Sequence, residues 1–264
     1  MEAKMKKYSM FLSVELKKSK EYIINTVMMI AMLPMQIAIY LFLMYWLSKR
    51  QGLNNFQFSF FMLYYIAVLI LKSIIMPAGT VSYYIFNDIR MGKLDRLLLL
   101  PVSYIGVKYI ERAAYFLISA PIGFIIIFIA NAFLPGADHL SILNILLFIV
   151  SAFLGFSLLF LLFAAVGILS FWFENILSLR DIVWIVLQFF TGETIPLFLL
   201  IDKFSVFTYL PTSYIYYYPV MLFQNKVQNV SLVLLIQSAW VIVFIIFTSF
   251  LFKIGINKYE SQGG

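Results

Sequence analysis

The residue groups in this 264-residue chain that could do chemistry are each incomplete for bond-breaking work. Gly92-Lys93 is the sole Gly-Lys pair, and Leu94 follows it. A phosphate-cradling G-x-x-x-x-G-K-[ST] loop is therefore absent, and the chain cannot hydrolyse ATP by itself. His139 is the one histidine and cysteine is missing. That excludes thiol nucleophiles, disulfides, Cys-ligated metal and a His-built metal centre. No H-E-x-x-H, G-x-S-x-G or Ser-His-Asp order occurs. What remains is Lys72 and Glu193 inside apolar runs, and a short charged stretch, Asn87 to Tyr104, reading NDIRMGKLDRLLLLPVSY.

A charge at mid-helix in a bilayer costs roughly 2.5–3.5 kcal/mol on insertion scales, so Lys72 and Glu193 need partners or a purpose. Lys72 can face an internal cavity and meet an anionic substrate or a carboxylate, or snorkel its ammonium to an interface. Glu193 follows Gly192 and precedes Pro196, where a helix breaks. It belongs either to a substrate path or to a solvated outer end. In the charged stretch, a continuous helix would set Met91, Leu94 and Leu98 on one face with Leu97 nearby, and turn Lys93, Asp95 and Arg96 elsewhere. Such a helix could press apolar knobs into a soluble partner or lie on the membrane surface.

The elements that must position these residues are set by composition. Hydrophobic residues make up 63% of the chain and charged residues 12%, against roughly a quarter charged in soluble domains. Lipid is the main solvent. The +7 net charge sits at the ends of apolar runs with no aromatic-interleaved patch, which excludes nucleic acid as a partner and leaves membrane lipid. Six stretches approach the roughly 20 residues needed to cross a bilayer. They are Ile23 to Leu47, Phe58 to Phe86, Val107 to Phe133, Ile142 to Phe173, Ile182 to Leu200 and Val230 to Ile254. With this connectivity fourteen Lys and Arg fall on one side and four, Lys49, Arg50, Lys203 and Lys226, on the other. The positive-inside rule then puts both termini in the cytoplasm.

The expected fold is an all-α integral membrane protein, one permease-like domain over residues 1–264. Residues 1–21 form an amphipathic interfacial helix, with Met5, Tyr8, Leu12 and Leu16 on one face and Lys6, Ser13, Lys17 and Lys20 opposite. Six spans fill residues 22–254, and 255–264 are a cytoplasmic tail. Before the last span, Pro211 and Pro219 cut Ile201 to Asn229 into pieces too short to cross, predicting an outer re-entrant hairpin.

The stretch IRxGxLDxxLLxPVS after the second span, Phe171-Trp172-Phe173 after the fourth, and Ile195-Pro196-Leu197 with Pro211 and Pro219 before the last resemble the permeases of type-2 ABC exporters. The six-span subgroup of about this length is the nearest in pattern, and the resemblance covers nearly the whole chain. It implies a permease that exports a substrate while bound to an ABC ATPase, two copies of it, and paired with a second permease, identical or related. ATP and Mg belong to that ATPase, and no cofactor to this chain. It further implies a coupling helix over Asp88 to Pro101, with Met91, Leu94, Leu97 and Leu98 as apolar contacts and Arg90, Lys93, Asp95 and Arg96 as polar ones. Glu193 departs from the family pattern, which would have an uncharged residue there.

Two other functions fit less well. An ion-gradient-driven secondary transporter should show internal repeats and paired broken helices. The chain has no fixed-period repeat, and Lys72 with Glu193 is a thin relay. An intramembrane enzyme would need a nucleophile and base, or metal ligands, at membrane depth.

Overall fold

The computed structural model describes residues 2–17, 19–51, 55–99, 101–134, 141–200 and 205–259. His139 and Lys203 lie outside the described residues, as does Leu100 within the charged stretch. Among the described residues all regular structure is helical. This follows from the solvent, because a helix satisfies its backbone polar groups within one segment and lipid offers them nothing.

The chain runs through α1 (Glu2–Leu16), α2 (Ser19–Ala31), α3 (Leu33–Gln51) and α4 (Asn55–Ile75), a 3-10 turn at Met76–Thr80, then α5 (Val81–Arg90) and α6 (Lys93–Leu98). It continues with α7 (Tyr104–Phe133), α8 (Ile142–Ile168), α9 (Leu177–Phe190), α10 (Tyr217–Phe223) and α11 (Val230–Ile256). Among the described residues five helical stretches are long and apolar enough to cross a membrane: Tyr22–Tyr40, Ser59–Arg90, Tyr104–Phe133, Ile142–Phe171 and Val230–Ile256.

The sixth expected span differs. In place of a helix over Ile182 to Leu200, α9 has 14 residues, about 21 Å at 1.5 Å per residue and short of a ~30 Å core. Gly192 stops it with φ of +82°, a left-handed turn that suits glycine, and Pro196 caps a following 3-10 turn, Leu197–Leu199. The other internal prolines act less sharply. Pro34 sits in the first turn of α3 and Pro77 in the 3-10 turn after α4. Pro121 is carried inside the 30-residue α7 without ending it.

Helix α8 is the hub, packing against α5, α10 and α11. Its Phe148, Phe156, Phe160 and Phe163 are fully buried. The segment before the last span consists of short pieces, with 3-10 turns at Ser205–Tyr209 and Pro211–Tyr214 followed by α10. None is long enough to cross, and residues from Ser213 to Gln224 are buried apart from Tyr218, which is partly covered. One buried amide ties three elements together. Gln237 Nε2 donates to the carbonyls of Ser151 and Tyr214, 2.8 and 2.9 Å, and its Oε1 accepts from Ser151 Oγ at 2.8 Å. In a dry interior these bonds satisfy groups that would otherwise be costly.

At the other end, α1 packs on the start of α7. Tyr8 accepts the Ser103 backbone N–H at 2.9 Å, and Leu12 packs on Tyr22, Ala114 and Tyr115. Two members of the expected apolar face are therefore used against protein.

Candidate functional site

The charged stretch after the second span folds as an elbow. Helix α5 ends at Arg90, Gly92 takes φ of +65°, and α6 begins at Lys93. The left-handed residue interrupts the continuous helix expected from the apolar spacing. Met91, Leu94 and Leu98 consequently do not share one surface: Leu94 is fully buried, while Met91 is 62%, Leu98 39% and Leu99 86% exposed. Lys93, Arg96 and Pro101 are exposed too, with Asp95 and Leu97 partly covered.

The base of the elbow is fastened by polar contacts. Asp88 is buried and accepts from Tyr104 Oη and from Lys108 Nζ, both at 2.9 Å. Lys108 also reaches Glu111 at 3.3 Å, one turn along α7. Asp88 is thus committed inside the chain. Arg90 donates from Nη2 to the Phe173 carbonyl at 2.8 Å, joining the IRxGxLD stretch to the Phe171-Trp172-Phe173 stretch. The end of α11 closes the same corner. Tyr104 stacks on Phe252 at 5.3 Å and Phe171 meets Tyr259 edge-on at 5.9 Å. The Tyr259 hydroxyl is raised above the ordinary tyrosine range, first by burial and then by the Asp95 carboxylate beside it. Three stretches far apart in sequence therefore meet at one end of the molecule. Glu174 and the Arg180–Asp181 pair, 2.8 Å, lie on the exposed surface just beyond them.

Lys72 and Glu193 meet each other. The ammonium of Lys72, on α4, donates to Glu193 Oε1 at 2.5 Å, with the Glu193 side chain 6% exposed and that of Lys72 21%. The turn that carries Glu193 is held by tyrosines. Tyr64 Oη donates to the Gly192 carbonyl at 2.7 Å and Tyr65 Oη to that of Thr194 at 3.4 Å. Tyr40 stacks on Tyr65 with ring centroids 4.6 Å apart. A non-helical turn at membrane depth carries carbonyls that lipid cannot satisfy, and these hydroxyls supply donors to two of them.

Sequence reasoning placed Tyr8 on an apolar helix face without a partner, and had not singled out Tyr104 or Tyr259, nor the Lys108-x-x-Glu111-Arg112 run as one unit. A signal for the last was present, because Lys108 and Glu111 sit three residues apart where a helix pairs them. The tyrosines carry no such mark in a chain with 17 of them. Among the described residues no group of His, Cys, Asp and Glu is arranged to hold a metal.

No curated relative and no solved structure matches the chain. A family described as ABC-2 family transporter protein matches residues 33–263, from the start of α3 past the end of α11. With a match over most of its length, taking in the elbow and the Lys72–Glu193 pair alike, the chain belongs to the ABC-2 transporter family.

Proposed function

We propose that this chain is the membrane-spanning permease subunit of an ATP-driven exporter, moving an amphiphilic, peptide or drug-like cargo outward with ATP hydrolysed on a separate ABC ATPase. Two ATPase copies and a second permease, identical or related, complete the assembly, and both termini of this chain face the cytoplasm. The observation that carries the reading is the elbow. It offers exposed Met91, Leu98 and Leu99 along with exposed Lys93 and Arg96 on a base tied to α7 and to the stretch after α8. Exposed apolar knobs with cations on the same short stretch suit docking onto a soluble partner, with the charges guiding approach. Push on α6 would pass through buried Leu94, Asp88 and Arg90 to α7 and α8, which is the route a coupling element requires.

The pairing of Lys72 with Glu193 supports a latch between α4 and the broken segment after α9, to be parted as the path opens. A gradient-driven transporter has a weaker footing, because this one intramembrane pair is closed on itself.

The test is gentle extraction of the tagged chain from its native membrane, with the co-purifying proteins identified by mass spectrometry. Wild type should bring an ABC ATPase with it. A variant carrying Leu98→Glu and Leu99→Glu should lose that ATPase while still inserting and remaining monodisperse. Recovery of no ATPase with wild type, under conditions that keep other membrane complexes whole, would sink the proposal.

A further inference from the structure

The second span is longer than a membrane requires. Ser59–Arg90 has 32 residues, about 48 Å at 1.5 Å per residue, whereas about 20 residues cross a ~30 Å core. Counted from Ser59, the hydrocarbon is used up near Ala78, inside the 3-10 turn. Thr80 and the residues after it therefore stand at headgroup level, as do the first turns of α7, which run alongside.

A cavity of about 660 Å³ opens at this level among α1, α2, the 3-10 turn, α5 and α7. Met28, Met32 and Met76, all exposed, line it together with Thr80, Tyr84 and Arg112. Methionine walls adapt to irregular apolar shapes. The charged groups around the cavity are not equally committed. Glu15 accepts from the Tyr22 hydroxyl, and Lys108 is shared between Asp88 and Glu111, so every carboxylate here already holds a donor. Arg112 differs. Its guanidinium lies 4.4 Å from the centre of the Tyr84 ring and donates from Nη1 to Thr80 Oγ1 at 3.2 Å. No carboxylate among the described residues pairs with it. A guanidinium carries five N–H donors in a planar fork that matches phosphate and carboxylate geometry, and stacking on a ring fixes its plane.

We propose that this cavity binds the anionic head of a long-chain amphiphile, a phosphate or a carboxylate. Arg112 takes the head, with Thr80 and Tyr84 orienting the guanidinium, and Met28, Met32 and Met76 take the chain. The polar half lies where a headgroup lies and the apolar half faces the hydrocarbon, so the ligand enters sideways from the leaflet. The site does not depend on ATPase coupling, and its test contains no ATP.

The test is native mass spectrometry of the full chain in a neutral maltoside detergent, titrated with dodecyl phosphate and separately with dodecyltrimethylammonium. Wild type should retain dodecyl phosphate in preference to the cation. Arg112→Gln should weaken retention by at least about tenfold, as expected for loss of a charge-assisted bidentate contact, and Arg112→Lys should fall between. Met76→Trp, which keeps the guanidinium but fills the apolar wall, should weaken it as well. Equal retention by wild type and Arg112→Gln overturns the proposal, and so does equal retention of the cation. Displacement by an equal concentration of inorganic phosphate overturns the role of the chain-binding wall. Phosphatidylglycerol carried through purification by wild type, but not by Arg112→Gln, assigns the site to a resident lipid. A site that arrives empty and fills with dodecyl phosphate assigns it to an exchanging amphiphile.

Discussion

The two sets of buried charge in this molecule are built on opposite plans. At the elbow, Asp88 is held by both Tyr104 and Lys108, and Lys108 by both Asp88 and Glu111, so the two central groups each keep a second partner if one is lost. Lys72 and Glu193, about 24 Å along the second span by helix rise, have a single bond between them, and α4 and the turn after α9 meet in ionic contact only there. A shared cluster tolerates the loss of one member. A lone pair leaves an uncompensated charge when either half goes, and in a low-dielectric setting that charge is expensive. This difference underlies the proposed division of roles, in which the elbow bears load and the Lys72–Glu193 pair is the latch.

The largest expected effect tests the lone pair. Lys72→Met should cost about 3 kcal/mol, the lower end for breaking a buried pair because Lys72 is partly exposed. Adding Glu193→Leu to it should recover most of the loss, since the stranded carboxylate is gone. Thermal unfolding of the purified protein in lipid nanodiscs reads both. If Lys72→Met melts with wild type, the two plans are not different in kind.

Next in size is Leu94→Ala. Leu94 has no exposed surface, and truncating a buried leucine costs about 2–4 kcal/mol with little collapse around it. Its loss should loosen the elbow from α7 and raise hydrogen exchange in α6 before the spans are affected. Asp88→Asn is smaller, about 1–2 kcal/mol. Tyr104 can still donate to the amide oxygen and Lys108 keeps Glu111, so the shared cluster should absorb much of the change. A cost at Asp88 equal to that at Lys72 would erase the contrast, and parallel melting curves decide it.

Much of this architecture was legible in the sequence, for reasons that differ by element. Long apolar runs bounded by Lys and Arg gave the spans at Phe58, Val107, Ile142 and Val230 because the bilayer sets their length. Pro211 and Pro219 marked the short buried pieces before α11. The misjudged span, Ile182 to Leu200, failed because hydropathy cannot see a left-handed glycine: Gly192 is apolar by count and a stop by geometry. The same blindness hid the elbow. With α5 and α6 read as one helix, Leu94 joined Met91 and Leu98, and Gly92 separates them. The partners of Lys72 and Asp88 were invisible for another reason. Glu193 lies 121 residues from Lys72, and no local spacing encodes such a pairing.

The smallest expected change in stability falls where the proposed docking predicts the greatest consequence for assembly. Leu98 and Leu99 stand in solvent at the tip of α6, 39% and 86% exposed. Replacing both by glutamate should move stability by no more than about 0.5 kcal/mol, as for surface positions that bury little. In Leu94→Ala, by contrast, any loss of the ATPase should track loss of folded protein. Comparing melting temperature with co-purified ATPase across Leu94→Ala and Leu98→Glu/Leu99→Glu separates the two causes within α6 and its C-cap. If the tip variant keeps its ATPase, docking lies elsewhere on this end of the molecule, and the exposed Glu174, Arg180 and Asp181 surface beside Phe173 becomes the place to look.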